Sequence, residues 1–254
     1  MNVFEAALLG IVEGLTEFLP ISSTGHLVLT AHLLGIANSD FLKSFEIVIQ
    51  LGAILAVVVL YWRKLFFDRA LMQHIIVALL PALGIGFLFY AFIRSLLASP
   101  WTVVITLFLG GIVLIIFERY RTEPINPVTV ESISYPQAFF IGLTQALSVI
   151  PGVSRAGATI IGGLAIGLSR SAAVEFSFLL GVPTMVAATT LDIIKHQATF
   201  STADIQSLAI GFGVSFLVAL MAIKFLLRFV KTHSFIAFGV YRILVALFFA
   251  LIVL

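Results

Sequence analysis

Apolar runs close to twenty residues long recur along the chain, and that length decides most of what it can fold into. A helix of about twenty apolar residues crosses the roughly 30 Å hydrocarbon core of a bilayer. Six such segments lie at 45–62, 74–93, 101–117, 172–191, 205–226 and 235–254. They are continuous rather than alternating, which predicts spanning helices and not barrel strands. Composition agrees: 61% of the 254 residues are hydrophobic and 10% are charged, with a mean hydropathy of +1.19. A soluble domain carries about a quarter charged residues. The predicted fold class is therefore an all-α, polytopic membrane protein. A net charge of +2 implies no polyanionic partner, so no nucleic acid is expected. The absence of cysteine removes disulfides, thiolate nucleophiles and cysteine-based metal sites. No cleavable signal peptide is expected, because the start lacks a basic region and Glu13 and Glu17 interrupt its apolar stretch.

Two further apolar stretches, 8–34 and 138–168, are broken near their middles by polar residues. The first contains Pro20 and Ser22-Ser23-Thr24-Gly25-His26; the second contains Pro151, Gly152, Ser154, Arg155 and Gly157. Both are predicted to be re-entrant helix–loop–helix hairpins, since irregular backbone at membrane depth must be buried in protein or line a wet cavity. Pro20-x-x-Ser23 aligns with Pro151-x-x-Ser154, and Glu46, Leu51 and Gly52 align with Glu175, Leu180 and Gly181. The expected plan is one transmembrane domain, 1–254, built of two repeats, about 1–125 and 126–254. A hairpin plus three spans in each half makes the repeats inverted, a plan shared with transporters whose broken helices meet near the midplane. Loop charge sets orientation. Arg63, Lys64, Arg69, Arg119, Arg121, Lys224, Arg228 and Lys231 fall on one side; Lys43, Arg94 and Lys195 fall on the other. The first side is expected to be cytoplasmic, so the first hairpin enters from outside and the second from the cytoplasm.

The breaks carry the groups that do chemistry. Glu13 and Glu17 lie four apart on one helix face. Charges in lipid are costly, so such a pair points to function, and two carboxylates can share a divalent cation or a proton. The alternative is an interfacial, water-exposed turn. Ser22, Ser23, Thr24 and Gly25 precede an apolar helix, an arrangement whose free N–H groups bind phosphate. His26, three residues after Ser23, is within reach as its base; the alternative is helix capping by one of the hydroxyls. In the second break, the Arg155 fork suits phosphate, with Ser154, Gly157 and Thr159 around it. The alternative for Arg155 is a structural ion pair with Glu13, Glu17, Glu46 or Glu175. Gln50, Gln145 and Arg242 are weaker candidates; Arg242, deep in the last span, needs an internal partner. If the hairpins meet, they supply a metal site, a nucleophile, a base and an anion clamp, which phosphoryl transfer requires.

These residues resemble a known family. Glu13-Gly-Leu-Thr-Glu-Phe-Leu-Pro-Ile-Ser-Ser-Thr-Gly-His26 is similar to the signature of bacterial undecaprenyl-diphosphate phosphatases of the bacitracin-resistance type. Pro151-Gly-Val-Ser-Arg-Ala-Gly-Ala-Thr159 resembles the family's second signature. The segments 45–52 and 175–181 also resemble family segments, and the similarity runs end to end. The resemblance implies removal of one phosphate from undecaprenyl diphosphate at the outer face of the bacterial plasma membrane, which recycles the lipid carrier for peptidoglycan. It implies a divalent cation, Mg2+ or Ca2+, at Glu13 and Glu17, Ser23 as nucleophile and His26 as its acid/base partner. Arg155, Ser154 and Thr159 match the diphosphate-binding motif. Where the family pattern has serine after that arginine, this chain has Ala156, so that hydroxyl is not part of the expected site. The expected partners are a prenyl diphosphate lipid and membrane lipids, with a homodimer as a candidate assembly. Attack by water in place of Ser23 fits the sequence equally. The rival from another class is a transporter or flippase of a phosphate-bearing lipid, which the inverted repeat favours as strongly.

Overall fold

The computed structural model describes residues 1–37, 39–89, 100–195 and 202–253. The far ends of the expected spans 74–93 and 235–254, together with Arg94 and His196, lie outside the described residues. Within them the chain forms α1 (Val3–Thr16), α2 (Ser23–Leu33), α3 (Asp40–Phe67), α4 (Arg69–Leu88) and α5 (Pro100–Tyr120). After a long connection follow α6 (Tyr135–Ala146), α7 (Arg155–Ala165), α8 (Arg170–Lys195), α9 (Thr202–Phe229) and α10 (Ile236–Val253). The only extended pairing among the described residues is an isolated bridge between Val128 and Leu168, so the class is all-α. Five helices, α3, α4, α5, α8 and α9, are long and apolar enough to cross a membrane, which makes this a multi-pass membrane protein. The sixth expected segment forms α10, whose apolar stretch Ile236–Leu251 is shorter.

Several helices outrun the apolar segments that predicted them. α3 starts at Asp40, where the Ser39 hydroxyl accepts the Leu42 N–H at 3.2 Å. α4 starts at Arg69, where Asp68 accepts the Leu71 N–H at 3.0 Å. Such caps satisfy the first-turn donors in polar surroundings, so a helix continues past the lipid-facing part that hydropathy detects.

The two interrupted stretches fold as helix pairs, α1–α2 and α6–α7, of 14, 11, 12 and 11 residues. At 1.5 Å per residue, none of these helices reaches across about 30 Å of hydrocarbon. Ser22 (φ 71°) and Ser154 (φ 74°) are the non-glycine residues with positive φ among those described. Each stands immediately before the inner helix of its pair. The backbone therefore matches Ser22 with Ser154, and Ser23 with Arg155. The sequence alignment, which matched Ser23 with Ser154, followed residue identity after a proline; the turn that starts the helix sets a register one residue away. A left-handed backbone at a residue with a Cβ is uncommon and concentrates at functional sites.

α1 and α3 pack on α9, α4 on α6, α5 on α10 and α7 on α8. Without a hydrophobic drive between helices in lipid, close approach through small residues does the work. On α1, Gly10 and Gly14 meet Gly211 and Ser215 of α9. A Cβ on Gly14 would lie 2.6 Å from the Ser215 carbonyl oxygen, and one on Gly10 would lie 2.7 Å from that of Gly211. The Ser215 hydroxyl in turn donates to the Ile49 carbonyl of α3 at 2.7 Å. This seam holds the helix that carries Glu13 and Glu17. Gly14→Leu is expected to lower thermal stability in detergent by about 1–3 kcal/mol, the usual cost of overpacking. An unchanged melting curve would mean that this contact does not anchor α1.

Candidate active site between the two hairpin breaks

The two breaks, distant in sequence, face one cavity of about 220 Å³. Glu17, Ser22, Ser23 and Thr24 line it from the first break, and Pro151, Gly152, Ser154 and Arg155 from the second. Gln50 of α3, Ser148 and Thr184 of α8 complete its polar wall.

A chain of short hydrogen bonds crosses between the breaks. The Ser23 hydroxyl donates to Glu17 Oε2 at 2.6 Å, and Arg155 Nη2 donates to Glu17 Oε1 at 2.8 Å. Arg155 Nη1 donates to the Ser177 carbonyl at 3.0 Å, while its Nε has no partner. The Glu17 and Arg155 side chains are 5% and 8% exposed. Burial this deep excludes the water-exposed-turn reading of Glu17. Helix ends explain why the pair is needed. Glu17 sits at the C-terminal cap of α1, where the helix dipole disfavours an anion, and Arg155 is the first residue of α7, where it disfavours a cation. Each charge compensates the other's placement. The N-terminus of α2 stays open, because Ser22 makes no side-chain cap there. That leaves the first-turn N–H groups of residues that line the cavity without a side-chain cap, an arrangement that suits an anion. Ser154 does cap α7, accepting the Gly157 N–H at 3.0 Å. Its own proton remains to donate into the cavity.

Five expected site residues lie outside the cavity lining. His26 is not the partner of Ser23. Its Nδ1 donates to the Ser22 carbonyl at 2.7 Å, and its Nε2 lies 2.9 Å from the Tyr241 hydroxyl. A carbonyl only accepts, so Nδ1 carries a proton toward Ser22, and Nε2 shares a hydrogen bond with the Tyr241 hydroxyl. Both ring nitrogens are thus engaged, and the hydroxyl of Ser23 goes to Glu17. The cause is helical direction: side chains lean toward the N-terminus of α2, which brings His26 over the preceding carbonyl. Gly157 spends its N–H on Ser154, and Gly25 packs against Leu107 and Val103. Thr159, 1% exposed, contacts Ser177 Oγ at 2.6 Å, and so steadies the residue whose carbonyl holds Arg155.

Glu13 is the fifth. It is fully buried, and neither carboxylate oxygen meets a hydrogen-bond donor. Its electrostatic neighbours are Glu17, Glu46 and Arg155. A bare carboxylate beside two others fits a cation or a shared proton. Among the described residues, however, no three His, Cys, Asp or Glu side chains converge as a metal cluster. Glu175 plays a different part from Glu46: it pairs with Lys64 at 2.7 Å, and Lys64 also reaches Glu131 at 2.8 Å.

Sequence reasoning gave Arg242 an internal partner but not its kind. The guanidinium, 2% exposed, meets five backbone carbonyls: Leu107, Thr106, Pro20, Gly152 and Val153, at 3.0–3.3 Å. It thereby ties α5 and α10 to both breaks. Gly110 makes the room, since a Cβ there would overlap the guanidinium. Tyr241, Ser177 and Thr184 were not foreseen. A lone tyrosine, serine or threonine in an apolar helix carries no spacing signal, and only the tertiary contacts reveal these.

Residues 6–248 match the family described as bacitracin resistance protein BacA. The chain is 52% identical over 251 residues to the undecaprenyl-diphosphatase of Aquifex aeolicus, covering 98% of both chains. It is 50% identical to that of a Sulfurihydrogenibium species, covering 99% of both. To that of Wolinella succinogenes it is 48% identical, covering 98% of this chain and 97% of the other. With a family match over nearly its whole length and full-length relatives at about half identity, the chain belongs to the BacA bacitracin-resistance family.

Proposed function

We propose that the protein is a membrane phosphatase that hydrolyses undecaprenyl diphosphate to undecaprenyl phosphate and inorganic phosphate. The observation that carries this reading is the hydrogen-bonded line Ser23–Glu17–Arg155, which joins a nucleophile, a base and an anion clamp across the two breaks. The names of the full-length relatives support the substrate. The Ser23–Glu17 bond favours hydrolysis over carriage of an intact phosphate-bearing lipid, because it couples a hydroxyl to a base beside the anion clamp.

In this reading the terminal phosphate enters the polar cavity. Arg155, the open N-terminus of α2 and the hydroxyls of Ser22, Thr24 and Ser154 neutralise and orient its oxygens. Ser23 Oγ passes its proton to Glu17 as it bonds to phosphorus, and the bond to the bridging oxygen breaks to release undecaprenyl phosphate. Glu17 hands that proton to the departing phosphate oxygen; it then takes a proton from the water that attacks the phosphoserine and returns it to Ser23 Oγ as the serine–phosphorus bond breaks, which frees phosphate and restores the Ser23 hydroxyl and the carboxylate. Glu13 with Glu17 would hold a divalent cation, Mg2+ or Ca2+, whose chemistry is to offset the negative charge of the diphosphate. His26 orients the start of α2 through the Ser22 carbonyl. The two halves are read as inverted repeats, and the distribution of loop charge supports an opening of the first hairpin toward the extracytoplasmic side of the bacterial plasma membrane.

The test is phosphate release from undecaprenyl diphosphate by purified protein, with and without EDTA. Release that stops with EDTA and returns with Mg2+ or Ca2+ is expected; no release from folded protein under any metal would overturn the reading. For the covalent route, Ser23→Ala is expected to slow release at least about 10³-fold. Rapid quenching of the wild type is expected to trap phosphate on Ser23. Undiminished hydrolysis by Ser23→Ala would assign the attack to water instead.

A further inference from the structure

We infer that Tyr241 of α10 is a positioning residue for the reaction: through His26 it holds the left-handed turn at Ser22, which leaves the Ser22 hydroxyl and the first N–H groups of α2 for the phosphate. The inference rests on the phosphatase reading above.

The two left-handed serines are held in different ways. Ser154 caps its own helix: its hydroxyl accepts the Gly157 N–H at 3.0 Å, and its carbonyl accepts the Ala158 N–H at 3.0 Å. Ser22 has weaker support of both kinds. Its hydroxyl makes no cap, and its carbonyl lies 3.4 Å from the His26 backbone nitrogen, beyond the usual range for such a bond. A left-handed backbone at a residue with a Cβ is strained and persists only where its surroundings over-determine it. The remaining support comes from the His26 imidazole, whose Nδ1 donates to the same carbonyl at 2.7 Å. A cap made by Ser22 itself would occupy its hydroxyl and the N–H of Thr24 or Gly25. Ser22 and Thr24 line the polar cavity, so holding the turn by its carbonyl keeps those groups for an anion.

Tyr241 fixes the imidazole that does this. Its hydroxyl lies 2.9 Å from Nε2, and the two rings stack with planes 4° apart and centroids 5.5 Å apart. A flipped ring would present carbon to both Ser22 and Tyr241 and lose both bonds. The next residue of α10, Arg242, donates from Nη1 to the Pro20 carbonyl at 3.1 Å. One helix therefore grips the carbonyls on both sides of Ile21, one directly and one through His26. Tyr241 is 42% exposed, so removing its hydroxyl opens no buried hole.

Tyr241→Phe removes the hydroxyl and keeps the stack. The probe is methylenediphosphonate, a diphosphate analogue with an unhydrolysable bridge, titrated by calorimetry into detergent-solubilised protein with Mg2+ present. Phosphate release from undecaprenyl diphosphate is measured in parallel. Tyr241→Phe is expected to bind the probe about three- to ten-fold more weakly, the scale of one hydrogen bond. Its kcat is expected to fall about ten-fold as the start of α2 shifts, with the melting temperature unchanged. A cycle with His26→Asn separates positioning from general structure, because the asparagine amide stands in for Nδ1–H and has no Nε2 for the tyrosine to hold. In that background Tyr241→Phe is expected to change affinity and rate by no more than about two-fold. Equal losses in both backgrounds, or no loss in either, would overturn the proposal. If His26→Asn does not fold, the His26 Nδ1 resonance in 15N-histidine-labelled protein carries the same prediction. It is expected to move in Tyr241→Phe, and an unmoved signal would overturn the proposal. A wild type that binds the probe but releases no phosphate sinks only the phosphatase reading. A Tyr241→Phe enzyme that matches an active wild type in affinity and rate sinks only the positioning role.

Discussion

A Glu17→Gln protein is expected to release phosphate from undecaprenyl diphosphate at least about 10³-fold more slowly than the wild type, the scale on which a general base or a charge-stabilising group acts. The substitution keeps the shape and removes both functions of the carboxylate. Glu17 Oε2 accepts from Ser23 at 2.6 Å while Oε1 accepts from Arg155 at 2.8 Å. An amide is no base in either orientation, and its single oxygen can accept from Ser23 or from Arg155 while its NH2 faces the other. Stability falls too. With the side chains only 5% and 8% exposed, leaving one partner of a buried ion pair uncompensated costs about 3–5 kcal/mol. Glu17→Asp separates the two effects. It restores the charge, and so much of the melting temperature, but withdraws the carboxylate from Ser23, so the rate stays low. A Glu17→Gln enzyme within ten-fold of wild type would exclude Glu17 as the base.

Arg242→Ala is expected to be the most damaging single substitution outside the cavity itself. Arg242 touches no residue that reacts, yet its donors end on carbonyls from Pro20 in the first break, Gly152 and Val153 in the second, and Thr106 and Leu107 in α5. Hydrogen bonds to a charged group contribute about 1.5–3 kcal/mol each, and unpaired buried acceptors are costly in their own right. Loss of several at once is expected to lower thermal stability by more than about 3 kcal/mol and to reduce turnover along with it. Arg242→Lys supplies the charge but only three donors from one point, where a planar fork spans carbonyls on both sides. It is expected to recover little. A Gly110→Ala protein offers an independent check, because its Cβ would displace the same guanidinium. Normal stability in both Arg242→Lys and Gly110→Ala would mean that the breaks hold their geometry without this residue.

The spanning helices were legible because lipid imposes a length on apolar runs, and the breaks because polar residues in such runs need a reason. Glu17, Ser23 and Arg155 follow from that logic, and the structure brings them into direct contact. What sequence spacing misjudged was direction. Ser23 and His26 are close along the chain, but helical geometry sends the imidazole to Ser22 and Tyr241, and brings Glu17 to the hydroxyl. Register was misjudged for a related reason: the left-handed serine, not the proline, marks the start of each inner helix, and φ is not written in residue identity. Gln50 was legible as a polar residue in an apolar run, whereas Thr184, a full helix away from the motifs, was not. Arg242 was visible as a buried charge in need of a partner. That its partners are carbonyls from three segments distant in sequence depends on the tertiary fold alone.

If the two breaks act as one catalytic unit, a double-mutant cycle on phosphate release shows it. Glu17→Gln in the first break and Arg155→Ala in the second would be assayed singly and together, with folding checked by thermal unfolding. Residues that act through one hydrogen-bonded unit lose their effect jointly. The double variant is expected to be no more than about three-fold slower than the worse single variant. Losses that multiply, as for independent groups, would contradict it.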